Sequence, residues 1–326
     1  MPKPDDAHKW TDEELKKLER RISSVYKEAR DELSDKVNAY FESFKKRDEE
    51  MKSLIGTTLN GKEWTEADYK QWRLAQIGRG ERFEALRDAM AERMTKANEI
   101  AAAYANNDMA KIYAMNHAYT IQDAIGQADG LLDGIDFTLL NEQTVKRLIV
   151  EQPDLMPYYP PKRAVKRGID LEYGKKQITS HVTSGILQGN SVNKIAKDLM
   201  KSVTEMNRTS AVRAARTAVT ESENAGRQAA SDELEEKGAI LGKEWIATND
   251  ERTRDAHREA DGQVVGNDEP FIVGGEKLMF PGDHSMGASG WNLYNCRCAR
   301  VSKVLGFKSI LTDEQRKRAN IRVVKS

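Results

Sequence analysis

The chain has 326 residues, with 52 basic against 52 acidic side chains, 39% hydrophobic residues and a mean hydropathy of −0.71. No apolar run approaches the roughly 18 residues that a membrane helix needs, and the start MPKPDDAHKW lacks a hydrophobic signal core, so the expectation is a soluble, cytosolically made protein of about two domains. The two cysteines, two positions apart in a Cys-Arg-Cys string, exclude a disulfide framework and leave free thiols or metal ligands.

Residues 12–52 read as one long helix. Thr11 or Asp12 is the expected cap, Glu13 and Glu14 lie in the first turn, and Leu15, Leu18, Ile22, Val25 and Ala29 step by three and four. Gly56 to Gly61 breaks it. Trp64, Tyr69 and Trp72 follow in a short helix capped by Thr65. A second long helix is expected over 81–106, punctuated by Asn106-Asn107-Asp108, and a third over 109–128. Met94 and Met115 read as core filler, and His117 among Tyr113, Tyr119 and Ile121 reads as a packed, hydrogen-bonded residue.

The segment 153–161, PDLMPYYPP, carries four of the eight prolines and is expected to be an extended linker. Beyond it lie helices expected at 169–187, at 192–201 after the Ser191 cap, and from Thr209 or Ser210 to about 230. The texture changes at Lys243: KEWIA is strand-like, ERTRDAHREA a short helix, Asp261-Gly262 a turn, and PFIV-Gly274-Gly275-EKLMF a hairpin. The fold class expected is α+β: a mostly helical amino-terminal two-thirds with long helices and a small α+β carboxy-terminal module. The expected segments are a long-helix domain at 1–152, the linker at 153–161, a basic helical segment at 162–240, the module at 241–305, and a basic arm at 306–326.

The neutral charge total hides this organisation. Residues 1–161 carry 24 basic and 30 acidic side chains, 162–216 carry 12 and 4, 217–298 carry 8 and 16, and 299–326 carry 8 and 2. The second block contains Lys162, Arg163, Lys166, Arg167, Lys175, Lys176, Lys194, Lys197 and Lys201. These cations suit phosphates or an acidic partner, with no interleaved aromatics to stack bases.

In the module, His257, His284, Cys296 and Cys298 are separated by 26, 11 and 1 residues. Two thiols and two imidazoles are the ligand set of a tetrahedral zinc site, and zinc would supply folding free energy to a small glycine-rich unit. Two other readings stay open. The cysteines are buried small hydrophobes and the histidines turn anchors, or His257 and His284 work with Arg252, Arg254 and Arg297 as the acid, base and phosphate clamp of a nuclease. Asp250, Asp255, Asp261, Asp268 and Asp283 make the local field acidic, which opposes a polyanionic substrate, and read first as turn and cap residues. Asp250 as cap and Arg254 on the same short helix are expected to orient the loop that Asn295-Cys296-Arg297-Cys298 closes.

The ordered strings WIATNDERTRDAHREADG, VVGNDEPFIVGG, FPGD and NCRC resemble the bacteriophage Mu F-like minor head proteins, also called phage head morphogenesis proteins. Trp245, Asp250, Arg252, Arg254, His257, Asp261, Gly262, Phe271, Pro281, Asp283, Asn295, Cys296, Arg297 and Cys298 carry the likeness; upstream, GILQGNSVNKIAKDL and ARTAVTESENAGR extend it to about 170–305. The resemblance implies a structural minor capsid protein of a tailed double-stranded-DNA phage and does not imply an enzyme, with a nucleic-acid-cleaving enzyme built on His257 and His284 or a bound metal as the alternative reading. It implies the portal protein, other capsid or scaffolding proteins and, non-specifically, duplex DNA as partners. It places the protein in the host cytoplasm during assembly and then inside the virion head near the portal vertex. Some relatives fuse the module to toxins or transferases. Here the chain stops about 28 residues after Cys298, so no such added domain is expected.

Overall fold

A computed structural model describes residues 5–132, 135–138, 140–151, 169–248 and 250–308. The linker at 153–161, the cations Lys162, Arg163, Lys166 and Arg167, and nearly all of the arm at 306–326 lie outside the described residues. The described elements are α1 (Asp6–Ser53), β1 (Thr58–Leu59), β2 (Lys62–Glu63), α2 (Glu66–Gln76), α3 (Glu81–Gln127), α4 (Glu142–Glu151), α5 (Ile169–Leu187), α6 (Val192–Glu236), β3 (Ala239–Ile246), α7 (Asp255–Glu259), β4 (Val264–Gly266), β5 (Phe271–Val273), β6 (Glu276–Leu278), α8 (Gly290–Leu293) and β7 (Ala299–Phe307). This is the expected α+β class, dominated by helix.

Helix α1 begins earlier than Thr11, because Asp5 caps it: its carboxylate accepts from the His8 backbone N–H at 2.8 Å. Thr11 instead lies inside the helix, buried, accepting from the Asn116 amide at 2.9 Å. Two further boundaries also move. Asn106-Asn107-Asp108 does not end a helix, and Thr209-Ser210 does not start one; α3 and α6 run through both. In α3 the buried stripe is continuous across the asparagines through Ala101, Ala105, Met109 and Ile112. Helix propensity costs under about 1 kcal/mol per such residue, which packing on both sides outweighs.

The chain forms two compact units, each drawn from separated stretches of sequence. One comprises residues 19–104 and 160–212. Its core is helical, built from Ile22, Tyr26, Leu33, Val37 and Phe41 of α1, Phe83, Met90 and Met94 of α3, Ile178, Val182 and Ile186 of α5, and Ile195 and Leu199 of α6. Helix α2 starts with a full capping box in which Thr65 and Asp68 exchange hydrogen bonds. Arg73, 1% exposed, reaches Asp48 at 2.8 Å and the Asn190 carbonyl at 2.8 Å, and the Tyr69 hydroxyl donates to Asp48.

The other unit comprises residues 1–18, 105–159 and 213–326. It contains the sheet β4-β3-β7, antiparallel throughout, with β3 paired to β7 from Ala239–Phe307 to Ile246–Ala299 across a register shift at Ile240/Leu241. The hairpin β5-β6 turns on Gly274 and Gly275, both at positive φ. Trp245, Phe271, Val273, Leu278, Leu293, Cys296 and Cys298 form one buried cluster, with Trp245 edge-on to Phe271 at 5.3 Å. His117 packs with its Nε2 3.4 Å from Glu233.

Candidate functional site

The segment 295–300 is held by one face of α6. Thr217, Thr220, Asn224 and Arg227 step by three, four and three along that helix, so their side chains stand in a row. Each meets a successive backbone group. The Asn295 N–H donates to the Thr217 hydroxyl at 3.2 Å, the Thr220 hydroxyl donates to the Cys296 carbonyl at 2.5 Å, and the Asn224 amide donates to the Cys298 carbonyl at 3.2 Å and accepts from the Arg300 N–H at 2.7 Å. Arg227 donates to the Arg300 carbonyl at 3.1 Å. Asn295 takes a left-handed φ of 57°, a conformation that asparagine tolerates better than most residues, and so turns the chain into this row.

Two glycines allow the close approaches. A Cβ on Gly226 would stand 2.5 Å from the Tyr113 carbonyl oxygen, so α6 meets α3 backbone to backbone there. Gly282, at φ 92°, lets the Pro281–Asp283 loop pass within 3.1 Å of the Glu221 Cα on the same measure. Asp283 braces that loop, accepting from the backbone N–H groups of Met279 and Ser285, each at 2.8 Å.

The cysteines and His257 come together. His257 Nδ1 is 3.4 Å from Cys298 Sγ and 3.6 Å from Cys296 Sγ, and all three side chains are buried. They form the group of candidate metal ligands among the described residues, with donor atoms all within 4.8 Å of one another. The Cys298 backbone N–H donates to Cys296 Sγ at 3.4 Å. The Cys298 thiol hydrogen-bonds Cys296 and pulls the Cys296 thiol well below its ordinary range, with His257 acting in the same direction; the same bond, with burial, pushes Cys298 up. His257 stands edge-on to Trp245 at 5.7 Å. Its Nε2 is buried without a hydrogen-bond partner.

His284 is the correction to the expected four-residue ligand set. Its side chain is 56% exposed, and its Nδ1 pairs with Glu221 at 2.7 Å. Burial raises the Glu221 carboxyl above its ordinary range against the opposing pull of His284. The glycine-rich loop carries His284 to the acidic side of α6, away from the sulfur cluster. Arg297 grips Asp250, through two bonds of 2.7 and 2.6 Å, and holds that carboxyl well below its usual range. Asp250 does not cap α7: it folds an Asx turn, accepting from the Arg252 N–H at 2.9 Å, and Arg254 occupies the cap position without a side-chain cap bond.

Arg254 does orient the closing loop, by donating to the Tyr294 carbonyl while its guanidinium lies over Trp291 at 5.5 Å. Replacing Arg254 with Ala is expected to lower the stability of the full chain by about 1 kcal/mol in denaturant unfolding; an unchanged midpoint removes this role. Asp261 accepts from the Ala247 N–H at 2.8 Å, and Gly262, at φ 78°, donates to the Trp245 carbonyl at 2.9 Å, which closes the turn below the site.

The basic tract is divided by the fold. Lys175 and Lys176 line a groove of about 720 Å³ with Arg87 and Glu172, and Lys175 lies 3.7 Å from Asp88. Lys197 lines another groove, of about 630 Å³, with Asn38, Glu42 and Met200. Lys194, Lys197 and Lys201 form an exposed stripe on α6, Lys194 pairing with Asp198 at 2.8 Å.

The site is thus a small α+β module whose closing segment is clipped to one long helix, with His284 held by Glu221 and His257 set against the two sulfurs. Residues 176–301 match the family model described as Phage Mu protein F like protein, so the chain carries a Mu F-like domain. Over 314 residues it is 24% identical to the minor head protein GP7 of Bacillus phage SPP1, covering 94% of this chain and 89% of that protein. Over 132 residues it is 31% identical to the NAD(+)–arginine ADP-ribosyltransferase EFV of Enterococcus faecalis. That match covers 40% of this chain and only 26% of the transferase. No solved structure matches. No helix among the described residues is long and apolar enough to cross a membrane.

The row Thr217, Thr220, Asn224 and Arg227 does not stand out in the sequence as a unit. Its signal lies in ARTAVTESENAGR, as polar residues at helical spacing inside an alanine-rich helix.

Proposed function

We propose that this chain acts at the portal vertex during procapsid assembly, with the portal protein and neighbouring capsid or scaffolding proteins as its partners, and that it works by binding rather than by catalysis. The observation that carries this reading is the likeness to GP7 along nearly the whole of both chains. The site geometry supports it. A nuclease built on His257 and His284 needs both imidazoles at one phosphate, whereas His257 is 1% exposed against two sulfurs and His284 is taken by Glu221. Labelling the protein in procapsids tests the proposal: density at a single vertex is expected, and a uniform shell distribution overturns it.

The exposed lysines of α6 are the proposed place of non-specific binding to duplex DNA. Changing Lys197 and Lys201 to Ala is expected to lower the slope of log affinity against log salt by about 2, near 0.9 for each phosphate no longer neutralised. A slope that stays the same in a salt titration by fluorescence anisotropy removes that stripe from the DNA surface.

A further inference from the structure

We propose that His257 Nδ1, Cys296 Sγ and Cys298 Sγ bind a zinc ion, with a water or other small exogenous donor as the fourth ligand. In a tetrahedral zinc site with Zn–S near 2.3 Å and Zn–N near 2.0–2.1 Å, an imidazole nitrogen and a sulfur ligand stand about 3.5 Å apart. The two such edges here are 3.4 and 3.6 Å. Two edges of the donor triangle thus match a ligand set, and all three donors lie within 4.8 Å of one another.

The surroundings carry the same reading. The Cys298 N–H aimed at Cys296 Sγ is the kind of donor that supports a thiolate. The imidazole is buried with the two sulfurs as the partners of Nδ1, and a metal bond would replace these weak contacts on that side of the ring while Nε2 keeps the proton. The tight Cys-x-Cys bite, shorter than the usual spacing of zinc-binding cysteine pairs, is made workable by α6, which fixes both cysteine carbonyls through Thr220 and Asn224. His284 takes no part, because Glu221 holds it.

A soft, borderline cation suits two thiolates and one imidazole, whereas magnesium or calcium would demand oxygen ligands. Binding would release the two thiol protons and leave the imidazole neutral. The site would thus lock the closing strand to the Trp245 cluster, whatever partner the assembled protein meets, so this inference stands apart from the location in the procapsid.

The test is metal analysis of the full chain, purified under reductant with zinc present and then desalted. About one zinc per chain is expected, retained in His284→Ala and lost in Cys296→Ser and in Cys298→Ser. Should the cysteine variants fail to fold, exchange of the wild-type chain into cobalt decides: thiolate-to-cobalt charge transfer in the near ultraviolet, with the intense visible bands of a tetrahedral ion, is the expected spectrum. Less than about one zinc per ten chains together with no cobalt–thiolate absorption overturns the proposal. So does a His284→Ala variant that loses the metal while remaining folded.

Discussion

Replacing Arg227 with Met is expected to destabilise the full chain by about 3–5 kcal/mol, the cost of leaving buried charges without their partner. Arg227 is 1% exposed. Its guanidinium makes bonds of 2.6 and 2.9 Å to the two oxygens of Asp5, of 3.1 Å to Glu223, of 3.0 Å to the Asn116 amide oxygen and of 3.1 Å to the Arg300 carbonyl. One side chain thus ties the cap of α1, the last third of α3, α6 and the strand that follows the cysteines. Methionine keeps the volume and the flexible stem, so the loss reports charge and hydrogen bonds more than packing.

Glu223 would keep His8 as a partner at 2.8 Å, whereas Asp5 would lose both bonds to Arg227 and stay largely out of water. The reference variant is Arg30→Met, which removes an exposed pair with Asp31 and is expected to change stability by less than about 0.5 kcal/mol. Urea unfolding of both variants measures the difference. A loss below about 1 kcal/mol for Arg227→Met would show that the network contributes little beyond its desolvation cost.

This network explains why parts of the fold are legible in the sequence and others are not. Periodicity locates the long helices, and glycine pairs locate the β5-β6 hairpin, because those signals are local. Local signals also place false ends at Asn106-Asn107-Asp108 and Thr209-Ser210, since polar residues that favour caps in isolation lie on the solvent side of a helix whose other side is packed. Strand β7 leaves no comparable trace, because its partner β3 is more than 50 residues away and its register depends on that pairing alone.

The same distinction holds at the site. Residue types alone put His257, His284, Cys296 and Cys298 in one group. Only the path of the Pro281–Asp283 loop, fixed by Gly282 against Glu221, shows that His284 goes to an acid while the other three converge. Arg297 meets Asp250 because both flanking cysteines are buried, which leaves the arginine between them at the partly exposed side of the segment.

Two buried groups in this unit are expected to give opposite pH dependences. Burial opposes charge on His8, but the Glu223 carboxylate, with smaller help from Asp12, outweighs both burial and Arg227 and raises the imidazole to about 9. A folded pKa above the unfolded value of about 6.5 means a stabilising contribution that is complete below pH 6.5 and lost as pH rises to 9. At its largest it is about 3 kcal/mol.

Lys243 behaves in the contrary way. It is fully buried, donates to the Asn267 carbonyl at 2.8 Å and faces the Phe271 ring. Burial, then the charge of Arg300, pulls its amine down to about 7 against the opposing carboxylates of Asp232, Asp283 and Asp268. The unfolded chain binds the extra proton between pH 7 and its ordinary value near 10.5, so the penalty is complete below pH 7 and is relieved as pH rises. Stability measured from pH 6 to 9.5 separates the two. The advantage of the wild type over His8→Gln should shrink by about 3 kcal/mol across that range. Relative to Lys243→Met, the wild type should gain about 3 kcal/mol, because methionine retains the stem but has no proton to release. Parallel profiles for wild type and His8→Gln would mean that the pairing with Glu223 does not raise His8 in the folded protein.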